Sequence, residues 1–130
     1  MSHFTSIKTA IRDIEALKLA ASSLGLTVVK NAKARGYSRQ NIHGDYVIQL
    51  KGPYDIALIK QANDTYEIVT DWFAGHVAKE VGVNAGQLLQ NYGVACAMSI
   101  AKERGLEVQH EKMKDGTIRI VATETVSIRG

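Results

Sequence analysis

The chain has 130 residues, 45% hydrophobic and 22% charged, with 16 basic against 13 acidic side chains and a formal charge of +3. That length suits one domain, 1–130, burying roughly two thirds of its unfolded surface, and the composition is that of an ordinary globule. The lone Cys96 excludes an internal disulfide and a cysteine zinc cage and points to a reducing compartment, while no run reaches the roughly 18 apolar residues of a membrane span.

Alternation at Thr5, Ile7, Thr9 and Ile11 predicts a strand over about Phe4–Thr9. The stretch around His3, Lys8 and Arg12 has no continuous apolar run, so no secretory signal is expected. From Asp13 the period changes: Ile14, Leu17, Ala21 and Leu24 make the stripe of an amphipathic helix, with Asp13 as N-cap and Gly25 as stop. Leu26–Lys30 reads as a strand. Residues 31–44 are polar, basic and glycine-containing, and read as a long connection or an exposed hairpin end. Tyr46–Lys51 is a strand closed by Gly52-Pro53, and Tyr54–Lys60 and Thr65–Trp72 flank a hairpin loop at Gln61–Asp64. Gly75–Val81 reads as a short helix. Asn84 is expected to cap a longer one that carries Leu88, Leu89, Tyr92, Ala95, Cys96, Ser99 and Ile100 and stops at Gly105. Leu106–Lys112 and Thr117–Glu124, joined through Lys114-Asp115-Gly116, form the last hairpin.

The two main helices echo each other at a constant offset, each followed by Gly-Leu-x-Val and then strands. Two accounts fit: a pseudo-two-fold repeat of a helix-plus-hairpin unit, or the general liking of helix-to-strand turns for Gly before an apolar residue. Either way the element order predicts an α+β fold, an antiparallel sheet with two main helices on one face.

Two segments carry candidate chemistry. Lys30, Lys33, Arg35 and Arg39, with Tyr37 among them, could hold phosphates and stack a base of a nucleic acid or phosphorylated ligand. The plain alternative is a solvated hairpin tip, exposed and dispensable for folding. Asp71, Trp72 and His76 put a carboxylate, an indole and an imidazole near one another and could line a pocket. Against that, aromatics leaving a strand commonly plug the core under a helix. His76 and Glu80 lie one turn apart and would pair on a helix surface.

Other residues signal less. A Met1-Ser2-His3 terminus could chelate Cu²⁺, but loss of the initiator Met ahead of Ser2 spoils the spacing, so no metal is expected. His43 and His110 read as surface residues, Cys96 as buried and inert, and Gly82–Gly86 as a plain helix start with N–H groups open to an anion. No Ser/His/Asp set, phosphate loop or dinucleotide fingerprint occurs, so no catalytic residue and no cofactor is expected.

The opening Met1–Thr9 with Ile11–Lys18, Arg35-Gly36-Tyr37, Leu50–Ile56, Tyr66-Glu67 with Asp71-Trp72, and Asp115–Arg119 together resemble one family over nearly the whole length. It is the conserved hypothetical chloroplast reading frame thirty-five, a domain of unknown function from plastids, cyanobacteria and their phages. The resemblance implies no activity to transfer. It implies a place in the cytoplasm or plastid stroma. Such proteins are often found beside AAA-type ATPases and another small protein, which implies an accessory role.

Two functions follow as expectations, besides a small enzyme centred on Asp71, Trp72 and His76. One is a non-enzymatic adaptor working through a protein partner: itself, a small protein or an AAA-type ATPase, with the first and last strands as edges open to pairing. The other is nucleic-acid or phosphorylated-ligand binding through residues 30–39. No membrane partner is expected.

Overall fold

The change of hydrophobic period at Asp13 is realised as a passage from strand to helix. In a computed structural model that describes residues 4–124, β1 (Phe4–Lys8) is followed by α1 (Ile14–Ser23). The Asp13 carboxylate accepts from the Ala16 N–H at 3.1 Å, filling one donor that a helix start leaves open. At the other end Gly25 takes φ +74°. Its N–H reaches Ser22 O and the Leu26 N–H reaches Ala21 O, both at 2.9 Å. This pair of bonds is the Schellman stop that the Gly-Leu sequence predicts. Ala16, Leu17, Ala20 and Ala21 form the buried face, whose alanines let the helix lie close on the sheet.

The remaining elements are β2 (Thr27–Arg35), β3 (Asn41–Gln49), β4 (Ile56–Lys60), β5 (Tyr66–Asp71), α2 (Ala78–Val81), α3 (Gly86–Glu103), β6 (Leu106–Lys112) and β7 (Ile118–Glu124). Five strands form an antiparallel sheet in the order β1-β5-β4-β3-β2, and β6-β7 stand apart as a two-stranded sheet. β1 lies at an edge, with Phe4 opposite Asp71 and Lys8 opposite Glu67. α1 and α3 cover one face, where Leu17, Ile48, Ile56, Leu58, Ile68 and Leu88 make the main core. The fold is α+β, with both main helices on one face of the antiparallel sheet.

The opposite face has a cluster of its own: Ala34, Val47, Ala57 and Val69, with Phe4, Val29, Ala32, Ile42 and Ile59 packed around it. Its cover is the segment 31–44. That segment is not a long connection but the distal half of the β2–β3 hairpin, folded back over the sheet. Pairing runs to Lys30↔Tyr46 and resumes at Ala32↔Gly44, with Asn31 between them at φ +53°. The interruption shifts the alternation by one, so Val29 and then Ala32 and Ala34 all face the second cluster. Gly44 sits at the bend, where a Cβ would come within 2.5 Å of Tyr46 O. At the returning tip, Arg35 O accepts from the Asp55 N–H at 3.0 Å. Gly36 lies against the Phe4 ring, where a Cβ would meet Cζ at 2.5 Å. The side chains of Lys30, Lys33, Arg35, Tyr37 and Arg39 are exposed, as expected of a hairpin end, while Ala34 and Gly36 beneath them are buried against the sheet.

The second half departs from expectation at its helix start. Asn84 does not cap α3: it and Ala85 both take positive φ, +53° and +60°, and α3 begins after Ala85 without a side-chain cap. The buried Val77, Val81 and Ala85 tie this segment to the main core, which offsets the backbone strain. α3 ends at Gly105, φ +71°, as α1 ends at Gly25, and the expected turn at Asp115-Gly116 leads into β7. Helix followed by hairpin therefore occurs twice. In the first unit four strands follow the helix and β1, which precedes it, completes the five-stranded sheet; in the second the hairpin stays at two.

Candidate functional site

The first candidate is the end of the sheet where the returning hairpin lands. Asp55, just before β4, is 3% exposed. Its Oδ2 accepts from Arg35 Nε at 2.8 Å and Arg35 N–H at 3.0 Å. Its Oδ1 accepts from Arg35 Nη2 at 2.8 Å and Leu50 N–H at 3.2 Å. Arg35 Nη2 also donates to Gly52 O at 2.9 Å. Burial alone would push the Asp55 carboxyl up. The Arg35 side chain, with the Arg35 and Leu50 N–H groups, outweighs burial and holds it below the usual carboxylate range. The same hydrogen bond to Asp55 raises the Arg35 guanidinium.

Asp71, at the end of β5, is fully buried and accepts from Tyr37 N–H at 3.1 Å and Phe73 N–H at 3.0 Å. The Tyr37 ring meets Phe73 edge-on with centroids 4.9 Å apart. Glu80, on α2, takes Lys51 N–H at 2.7 Å and Gly52 N–H at 3.0 Å. All three carboxylates are therefore clasps for backbone donors: two hold the hairpin tip and one holds the β3–β4 loop. Groups so occupied are poorly placed to move protons for a substrate.

The two sequence-predicted sets thus meet. Arg35 and Tyr37 from one are held by Asp55 and by Asp71 from the other. Trp72 packs against the main core, and His76 lies edge-on to Tyr54, centroids 5.2 Å apart. The expected His76–Glu80 pairing gives way to the Glu80 clasp. Lys30, Lys33 and Arg39 are exposed and form no ion pair among the described residues. Beside the tip, Arg35, Ser38, Arg39, Pro53 and Tyr54 line a hollow of about 490 Å³. His43 is exposed and hydrogen-bonds the Asn31 side chain. Cys96 is half-buried rather than buried, and its free thiol lies against the Tyr92 hydroxyl. His3 lies outside the described residues. No group of three His, Cys, Asp or Glu able to hold a metal occurs among the described residues, and no described helix is long and apolar enough to cross a membrane.

The second candidate is a surface that the sequence reading misses. α3 docks on α1 by one side: the Tyr92 hydroxyl accepts from the Arg12 and Asp13 N–H groups at 3.0 and 3.1 Å, and Asn91 Nδ2 donates to Ser23 Oγ at 2.8 Å. Beside that contact Gln87, Asn91, Val94, Ala95, Met98 and Lys102 of α3 line an open groove of about 1150 Å³. Leu19 of α1 and Leu24 just after it line one side, and Leu106, Val108 and Ile118 of β6–β7 the other. The available signal is that α3 carries Val94 and Met98 off its core stripe, so it is apolar around more than one face.

The comparisons bear out the resemblance. The protein called "Uncharacterized protein ycf35" in Guillardia theta is 29% identical over 92% of this chain and 94% of its own length. Those of Pyropia yezoensis (30% identical, covering 93% and 95%) and Cyanophora paradoxa (28%, 93% and 95%) carry the same name. No solved structure matches. The family described as "Protein of unknown function (DUF1257)" matches residues 20–121, most of the chain, and this chain belongs to that family.

Proposed function

We propose that this protein is a non-enzymatic accessory protein that binds another protein through the groove between α1, α3 and β6–β7. The observation that carries the reading is the set of apolar side chains along the groove, Val94, Ala95 and Met98 between Leu24 and Val108, with Leu19 left 63% exposed. Apolar side chains left open to water in a groove gain by being covered, which is the driving force for association. The committed carboxylates at the sheet end support a non-enzymatic role. An AAA-type ATPase is the first partner to test, in the cytoplasm or plastid stroma.

Affinity capture with the wild-type chain and with a Leu19→Asn/Met98→Gln variant tests this. Both positions lie on the groove surface, so the variant should fold and melt normally yet lose the captured protein. Capture of the same proteins by both chains would refute the reading.

A second reading, nucleic-acid or phosphorylated-ligand binding, draws on the unpaired Lys30, Lys33 and Arg39. Replacing Lys33 and Arg39 with Gln should flatten the salt dependence of any such binding by up to about two counterions' worth of slope. Binding that ignores both changes would remove the segment from consideration.

A further inference from the structure

We propose that the groove receives an amphipathic helix of about four turns from a protein partner, apolar along one face and bearing carboxylates along its flanks. The inference rests on the protein-partner reading above and names the chemistry of that partner. Its first support is shape. The floor is a single helix face running from Gln87 to Lys102, a length of about 22 Å at 1.5 Å per residue. Side chains recurring three and four apart make ridges and grooves that another helix complements. A strand would instead seek the free backbone edges of β6 or β7 and leave this floor uncovered.

The second support is charge. Lys79, Lys102, Lys112 and His110 line the groove, and the one carboxylate among the lining residues is Glu80. Glu80 already accepts from the Lys51 and Gly52 N–H groups. Alternation along β6 sorts the rest: Val108, His110 and Lys112 lie on the groove side, while Glu107 and Glu111 fall on the opposite face, with Glu111 across from Arg119. The groove thus sets Val94, Ala95, Met98 and Val108 among Lys79, Lys102, His110 and Lys112, the complement of a helix with Leu-type residues flanked by Asp and Glu. A second copy seated groove to groove would set the same lysines against each other. A flat bilayer surface would not reach a floor walled on both sides.

The test uses the full chain and two synthetic helical peptides of about 15 residues, the length that spans the floor. Both carry the same leucine stripe at three-four spacing; one has Glu at the flanking positions and the other Lys. Fluorescence anisotropy at low salt should show the Glu peptide binding at least about tenfold tighter, with the gap closing as salt rises. Lys79→Glu/Lys102→Glu/Lys112→Glu should reverse the preference, and Leu19→Asn/Met98→Gln should weaken both peptides. Equal binding of the two peptides, no binding of either, or a preference unchanged in the triple variant would overturn the inference. So would a dimer in native mass measurements that excludes the Glu peptide, or tighter binding to phosphatidylserine vesicles than to the peptide. If groove-dependent protein capture persists while the peptides fail to differ, the acidic helix falls and the partner reading stands. If capture never depends on the groove, the partner reading itself falls.

Discussion

Asp55 accepts four hydrogen bonds, three from Arg35 and one from Leu50, so its ionised form is the one the fold holds. With its pKa lowered in the folded state, its contribution is present above the unfolded value near pH ~3.9 and fades as pH falls through the lower folded value. Asp55→Asn should therefore lose about 1–3 kcal/mol at neutral pH, with a smaller further loss in acid than the wild type. Since 55% of the Arg35 side chain is exposed, solvent screening keeps the pair from its full buried worth. Arg35→Gln should cost a similar amount, and the double variant less than the sum. Urea unfolding from about pH 3 to about pH 7 checks both expectations. Identical acid slopes in wild type and Asp55→Asn would assign the acid sensitivity elsewhere. This partnership is illegible in sequence: Asp55 follows a Gly-Pro turn, where acidic residues are commonplace, and its partner lies 20 residues upstream. Asp71 is legible as a carboxylate among aromatics, but nothing local shows that its oxygens hold backbone N–H groups from Tyr37 and Phe73.

At the scale of elements, local chemistry is legible where it is self-contained. The Asp13 cap, the Gly25 and Gly105 stops and the Asp115-Gly116 turn each depend on residues within a few positions, and all are realised. The folded-back hairpin is not legible, because its interruption at Asn31 breaks period two and leaves Ala32 and Ala34 among polar neighbours, the pattern of a loop. The bend depends on the absence of a side chain at Gly44. Gly44→Ala would press a methyl against the Tyr46 carbonyl and the Ala57 side chain, and should destabilise by about 1–3 kcal/mol. A thermal melt indistinguishable from wild type would show that the bend has room to relax. Asn84 fails as a cap for a related reason: burial of Val81, Ala85 and Leu88 fixes how the chain enters α3, and tertiary packing overrides the local preference.

Across the whole molecule, burial is uneven. The main core lies between the sheet and the two helices, whereas residues 102–124 include no fully buried side chain. A hairpin of two strands is marginal by itself, and among the described elements β6–β7 packs chiefly against α3. Native-state hydrogen exchange should therefore show β6–β7 amides opening at a lower free energy than those of β3, β4 and β5. Equal protection would mean that the hairpin is held by something stronger than its visible packing. An occupant seated in the groove should raise that protection, because it would bury Val108 and Ile118 against a new surface.

The returning hairpin also sets an order of events in time. Tyr37 can find Asp71 only after β5 has paired, and Arg35 can find Asp55 only once β4 is in place, separations of 34 and 20 residues along the chain. Closure of the clasp on a sheet already formed is the expected order, which puts it on the downhill side of the folding barrier. Arg35→Gln should accordingly speed unfolding while leaving the refolding rate nearly unchanged, a shift confined to one limb of the chevron. Slowed refolding of that variant would instead place the tip contact in the nucleus. With the change confined to the unfolding limb, the clasp at Arg35 and Tyr37 is a latch on the lifetime of the folded protein more than a guide to its formation.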